Sequence, residues 1–222
     1  MLSDARPASG LLYLHGFNSA AGSPKARLMR DACADLTPAL PCETPTLTHR
    51  PEIAYAEAKA ALDSLGERPL VVGSSMGGFF ATCLAERFDL QAVLINPAVR
   101  PARLMKDWLD EEFFNPYTGE RFRVEESHRR ELEALTPARL TPERYLLLLG
   151  TADETLDCTE AFHAYAGCRT ILHPGGDHGF SRLFDYLPAI LAQGGHRLLP
   201  EQLKTLMNRS YTPNLHDHSG TL

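Results

Sequence analysis

Leu70-Val71-Val72-Gly73-Ser74-Ser75-Met76-Gly77-Gly78-Phe79-Phe80-Ala81 is the stretch on which the fold turns. A short run of buried-strand character enters Gly73-Ser74-Ser75-Met76-Gly77, and an apolar helix-like run follows at once. G-x-S-x-G is a weak motif alone and a strong one between a strand and a helix. Gly73 and Gly77 let the two backbones approach closely, and the serine at the apex tends toward strained dihedrals. Ser75 is thereby presented above a sheet at a helix N-terminus, whose dipole favours developing negative charge. The competing reading is a Gly/Ser-rich turn that caps a helix or binds phosphate.

Outward from this turn, strand and helix signals alternate. Strands are expected from residues 11, 42, 70, 91, 145 and 169. Leu11-Leu12-Tyr13-Leu14 and Tyr145 to Leu149 are continuous apolar runs, as expected of strands buried on both faces. Ser23-Pro24 and Pro51 open helices, and Gly66 stops the second. Phe180 to Leu191 reads as the closing helix. The expected architecture is a mostly parallel six-stranded sheet with helices on both faces.

One interval breaks the rhythm. The 48 residues from 97 to 144 are too many for a simple crossover. Ala102 to Glu112 reads as an amphipathic helix carrying Leu104, Met105, Trp108 and Leu109. Asn115-Pro116-Tyr117-Thr118-Gly119 is turn chemistry, and Glu125 to Leu135 is a second helix. The division expected is a core of residues 1–97 and 142–194, an inserted cap of 98–141 and a C-terminal tail of 195–222. The cap either lines a site above the strand ends or is decoration packed on the body. Pro200 to Met207 suggests one short helix in the tail.

Composition narrows the class. A chain of 222 residues buries about 70% of its unfolded surface and needs no disulfide or metal staple. Its formal net charge is −6 without any basic cluster, so neither nucleic acid nor an anionic membrane is an expected partner. Five cysteines without C-x-x-C spacing fit a reducing compartment. No apolar run approaches a membrane span, and the N-terminus has no signal-peptide core, so a cytoplasmic location is expected. His216-Asp217-His218 is metal-like only in composition, and Lys25, Arg27 and Arg30 read as a solvated helix face.

A serine hydroxyl needs a base within reach and a carboxylate to orient that base. Among nine histidines, His178 stands out in the flexible loop Gly175-Gly176-Asp177-His178-Gly179-Phe180, between the last strand and last helix. Asp153 lies just past the 145–149 strand. Asp157, three residues before Glu160, has capping-box spacing and a structural job available. Asp153 is therefore the preferred acid. An oxyanion site needs two preorganised N–H donors; Met76 supplies one, and Phe17, in the loop after the first strand, the other. His15 is expected to shape that loop. Arg100 could meet an anionic substrate group or form an internal ion pair, and the Leu104, Met105 and Trp108 face could line an acyl pocket.

The serine, aspartate, histidine order is that of the α/β-hydrolase fold. Together Leu12 to Ser19, Val72 to Gly78, Asn96-Pro97-Ala98-Val99-Arg100-Pro101, Asn115 to Gly119, Asp153 to Asp157 and Gly175 to His178 resemble the YqiA-type esterases, small bacterial α/β-hydrolases. The resemblance runs from about residue 11 to 192, and the Asn96 and Asn115 motifs are its most specific parts. It implies Ser75 as nucleophile, Asp153 as acid and His178 as base, acting on carboxylic esters or thioesters of small acyl groups without a cofactor. Met76 stands where the family has leucine, and the tail exceeds the family pattern. Alternatives within the same fold are acyl-thioester hydrolysis or acyl transfer on coenzyme-linked groups, or a catalytically silent binding module.

Overall fold

The computed structural model describes residues 6–211, without the side chains of residues 210 and 211. Six strands form one sheet: β1 (Leu11–Leu14), β2 (Cys42–Glu43), β3 (Leu70–Ser74), β4 (Ala92–Ile95), β7 (Tyr145–Gly150) and β8 (Arg169–His173). Their order is β2-β1-β3-β4-β7-β8, and every pairing is parallel. The sheet is thus wholly parallel, with an α/β-hydrolase core architecture. Parallel strands need crossovers, so helices cover both faces and both faces exclude water.

The period-two rule sorts the side chains. Leu11, Tyr13, Val72 and Ile95 point toward α1 (Pro24–Ala34) and α7 (Leu187–Gln193). Leu12, Leu14, Val71 and Leu94 point toward α2 (Pro51–Asp63) and α3 (Met76–Phe88), which bury Ala54, Ala58, Phe79 and Phe80. Each fully buried leucine contributes about 1.5–3 kcal/mol. α6 (Cys158–Ala164) covers the same side as α3 through Ala161.

Three expected elements differ in the structure. The helix after Arg100 is only α4 (Pro101–Asp107). Asp110 then takes φ 65° and the chain turns into an antiparallel hairpin, β5 (Glu112–Phe114) with β6 (Arg121–Arg123). Pairing Phe113 with Phe122 stacks two aromatic side chains on one face. Asn115 makes the hairpin's turn by accepting the Tyr117 and Thr118 N–H groups. α5 (Glu126–Leu135) follows. Second, Phe180 to Leu191 is not one helix: Phe180 has φ 51°, a 3₁₀ turn covers Leu183–Tyr186, and α7 begins where Pro188 falls in a first turn. Third, the strand expected from residue 42, β2, is only two residues long.

The C-terminal helix α8 (Pro200–Tyr211) lies against α1. Leu198 and Leu206 join the α1 side of the core, Gln202 donates to the Asp35 carbonyl at 2.6 Å, and Arg209 pairs with the Asp35 carboxylate. His216, Asp217 and His218 lie outside the described residues. Among the described residues no group of three metal-ligating side chains comes together, no cysteine forms a disulfide, and no helix is long and apolar enough to cross a membrane.

Candidate active site

The sheet changes winding direction between β1 and β3, which are neighbours although β2 lies between them in sequence. In open parallel sheets, the crevice beyond the carboxyl ends of such strands is where ligands bind. Two loops open there: His15 to Ser19 after β1, and the turn at Ser75 after β3. The turn needs its glycines. A Cβ on Gly73 would lie 2.2 Å from the Gly77 carbonyl oxygen, and one on Gly77 would lie 2.1 Å from that of Leu14. Ser75 itself has φ 56° and ψ −120°, a strained conformation for a side-chain-bearing residue.

The loops after β7 and β8 meet over this turn. His178 Nε2 lies 3.2 Å from Ser75 Oγ. On its other edge, His178 Nδ1 lies 2.9 Å from Asp153 Oδ2 and 3.0 Å from Oδ1. The Asp153 side chain is 2% exposed, and its Oδ1 also accepts the Thr155 and Leu156 N–H groups, both at 2.8 Å. Such a carboxylate orders its own loop and directs the imidazole proton to Nδ1, leaving Nε2 to accept from the serine hydroxyl. Asp157 sits elsewhere: it caps α6, accepting the Thr159 N–H at 2.8 Å. Glu160 does not close a box with it but pairs with Arg103 at 3.2 Å.

Met76 is the first residue of α3, so its N–H has no acceptor inside the helix. Phe17 follows Gly16, whose backbone abuts Ser75: a Cβ there would lie 3.2 Å from the Ser75 Cβ. His15 is buried and holds this loop. Its Nε2 accepts the Leu47 N–H at 2.9 Å, which puts its proton on Nδ1 for donation to the Gly16 carbonyl at 2.8 Å. Burial pushes the His15 imidazole below its ordinary pKa.

The insertion reaches the same loop. Phe17 stacks on Trp108 at 5.2 Å and meets Phe113 and Phe122 edge-on at 5.1 and 5.5 Å. Asn18 donates to the Phe114 carbonyl and Asn115 to that of Ser19, both at 3.0 Å. Beside Phe17 and Met76 is a cavity of about 180 Å³. Met105 borders it; Trp108 is not among its bordering residues but stacks on Phe17, and Arg100 is an exposed residue at the start of α4.

Two further residues, Lys25 and the Asn96 that opens the Asn96–Pro101 motif, hold the site together. Lys25 is not on a solvated face: its ammonium donates to Ser74 Oγ and to the Gly179 carbonyl, both at 2.9 Å. Burial lowers its pKa to about 8, partly opposed by the Asp177 and Asp153 carboxylates. Asn96, buried with φ 42°, accepts the Gly150 N–H at 2.8 Å and donates to the carbonyls of Asp177 at 3.0 Å and His178 at 3.2 Å. One amide side chain thus joins the ends of β4 and β7 to the histidine loop.

Residues 10–193 match the model of "Uncharacterised protein family (UPF0227)", which is the YqiA-like family. The chain belongs to this family. Its α/β-hydrolase fold is shared with solved structures of low sequence identity. Alpha/beta hydrolase domain-containing protein 10 from mouse is 16% identical, with 92% of each chain covered and a TM-score of 0.61. The esterase domain of a Rhodothermus marinus protein is 19% identical, covering 87% of this chain and 88% of that one, with a TM-score of 0.59. The monoacylglycerol lipase of Paleococcus ferrophilus is 15% identical, covering 85% and 96%, with a TM-score of 0.59. The UPF0227 match ends at residue 193, so α8 lies beyond it.

Proposed function

We propose that this chain is a serine hydrolase that cleaves carboxylic esters or thioesters of small acyl groups through an acyl-enzyme. The observation that carries the reading is the continuous contact from Ser75 Oγ through the His178 imidazole to the buried Asp153 carboxylate, at 3.2 and 2.9 Å. Ser75 attacks the acyl carbonyl as His178 Nε2 takes its proton. Asp153 stabilises the imidazolium, and the N–H groups of Phe17 and Met76 hold the oxyanion. His178 returns the proton to the departing alkoxide or thiolate, and water activated by the same imidazole releases the acid. The chemistry asks nothing of a metal or organic cofactor. The low-identity neighbours named as esterase and lipase support the reaction class.

The test is covalent labelling by a fluorophosphonate together with turnover of p-nitrophenyl acetate. Ser75→Ala is expected to abolish labelling and to lower kcat by about 10³-fold or more with the melting temperature retained, because the three side chains act as a unit. Ser74→Ala keeps labelling. A wild-type protein that fails to label is a binding module on a hydrolase fold and defeats the proposal.

A further inference from the structure

The cavity beside Phe17 and Met76 says which end of the substrate it takes. None of its bordering residues comes from the loops that carry Asp153 and His178. In the proposed reaction the leaving group departs on the His178 side, because that imidazole returns its proton. The acyl chain attached to Ser75 therefore extends the other way, past the two amide donors and into this cavity. With a volume of about 180 Å³ the cavity has room for a short acyl chain.

Its walls are of two kinds. Phe17, Met76, Phe80, Met105 and Phe122 are apolar. Among the polar residues against them are Asn18, the half-buried Glu57 and the exposed Glu120, beside threonine and histidine side chains that can also donate, with no lysine or arginine among the bordering residues. Asn18 and the two glutamates present acceptors. Asn18 spends its amide nitrogen on the Phe114 carbonyl, and its Oδ1 is buried without a partner. Glu57 spends Oε2 on the Thr48 N–H at 2.9 Å. Glu120 Oε1 faces His49 Nδ1 at 3.3 Å. One further oxygen on each carboxylate has no hydrogen-bond partner among the described residues.

A buried acceptor gains from a donor and is penalised by another acceptor. We infer that the cavity selects a short acyl chain bearing a hydrogen-bond donor, a hydroxyl group above all, and rejects a carboxylate-ended chain of the same length. The inference rests on the ester hydrolase reading and specifies its substrate. The apolar walls accommodate the methylenes, while Asn18 Oδ1 and the two glutamates receive the donor.

The experiment compares kcat/KM for ethyl butyrate, ethyl 3-hydroxybutyrate and monoethyl succinate by pH-stat, alongside fluorophosphonate labelling of the same preparation. One net hydrogen bond corresponds to a preference of about three- to tenfold for the hydroxylated ester. Monoethyl succinate is expected to be poorer than ethyl butyrate, because its carboxylate would lie beside the half-buried Glu57 and the solvent-screened Glu120. In Glu57→Gln and in Glu120→Gln the penalty on the succinate ester shrinks relative to ethyl butyrate, whatever the absolute rates. A labelled enzyme that turns over the succinate and hydroxybutyrate esters no differently from the butyrate ester overturns the cavity assignment and leaves the hydrolase reading intact. A protein that neither labels nor hydrolyses any of the three overturns both.

Discussion

The Lys25 ammonium donates to Ser74 Oγ at 2.9 Å, and with a second bond to the Gly179 carbonyl it ties the serine turn to the histidine loop. The residues on either side of that tie are Ser75 and His178, so a cation on α1 sets their separation. Lys25→Met keeps the aliphatic stem and removes the donor. A displacement near 1 Å in such a site costs up to about 10² in rate. We expect kcat on p-nitrophenyl acetate to fall by roughly 10- to 100-fold with KM little changed. Unchanged kcat would show that the loop holds its place without the tie.

The same lysine has a stability signature. Its pKa is about 8 when folded against an ordinary 10.5. Between those values the unfolded chain binds the extra proton, so the Lys25 contribution to stability rises with pH across that window. The stability of wild type relative to Lys25→Met, from urea denaturation, is expected to increase between about pH 8 and pH 10. A constant difference contradicts the assigned burial of the charge.

Asp153 and Asp157 lie four residues apart and do different work. Asp153 touches the His178 imidazole, whereas Asp157 caps α6. Asp153→Asn retains shape but presents an amide to the imidazole, and kcat is expected to fall by up to about 10⁴ with little change in melting temperature. Asparagine caps a helix nearly as well as aspartate, so Asp157→Asn retains activity and stability. Asp157→Ala costs about 0.5–2 kcal/mol, visible as a melting temperature a few degrees lower. The reverse assignment of inactivity, to Asp157→Asn, is the result that sinks this reading.

Trp108 covers the ring of Phe17 at 5.2 Å. An aromatic pair is worth about 0.5–1.5 kcal/mol beyond its buried area. Trp108→Ala frees the residue proposed to donate to the oxyanion, so the acetyl and butyryl esters are expected to lose kcat together, by roughly tenfold. A loss confined to longer acyl chains would instead put Trp108 on the wall of the acyl cavity.

His15 and His128 are both buried, and burial is the largest cause lowering each pKa. A histidine kept neutral by the fold stabilises fully above its unfolded pKa near 6.5. That contribution is lost as pH falls through 6.5 toward the folded value, because the unfolded chain takes up the proton first. The urea midpoint is expected to drop between about pH 7 and pH 5. His128 is the third residue of α5, and its Nδ1 accepts the Glu125 N–H at 3.0 Å, a role glutamine fills in capping boxes. His128→Gln therefore keeps the cap and flattens its share of the slope; an unaltered slope would refute that share.

Local chain chemistry was enough for the sheet and for the turn at Ser75. The strand runs near residues 11, 70, 92 and 145 are apolar up to their carboxyl ends and buried at every position, because both faces of a parallel sheet are buried. Gly73 and Gly77 announce the turn because a Cβ at either would overlap backbone. What tertiary structure alone decided involves partners far apart in sequence. The hairpin after α4 exists because Phe113 and Phe122 pair under Phe17, a gain invisible to helical periodicity in residues 102–112. Lys25 reads as a surface lysine until Gly179, 154 residues away, brings its carbonyl to the ammonium. Asn96 has the same character, since its amide is satisfied by Gly150, Asp177 and His178 only once β4, β7 and the last loop converge. Spacing and composition register which groups a segment carries; a long-range hydrogen bond depends on where the other segment is delivered, and that is a property of the packed sheet.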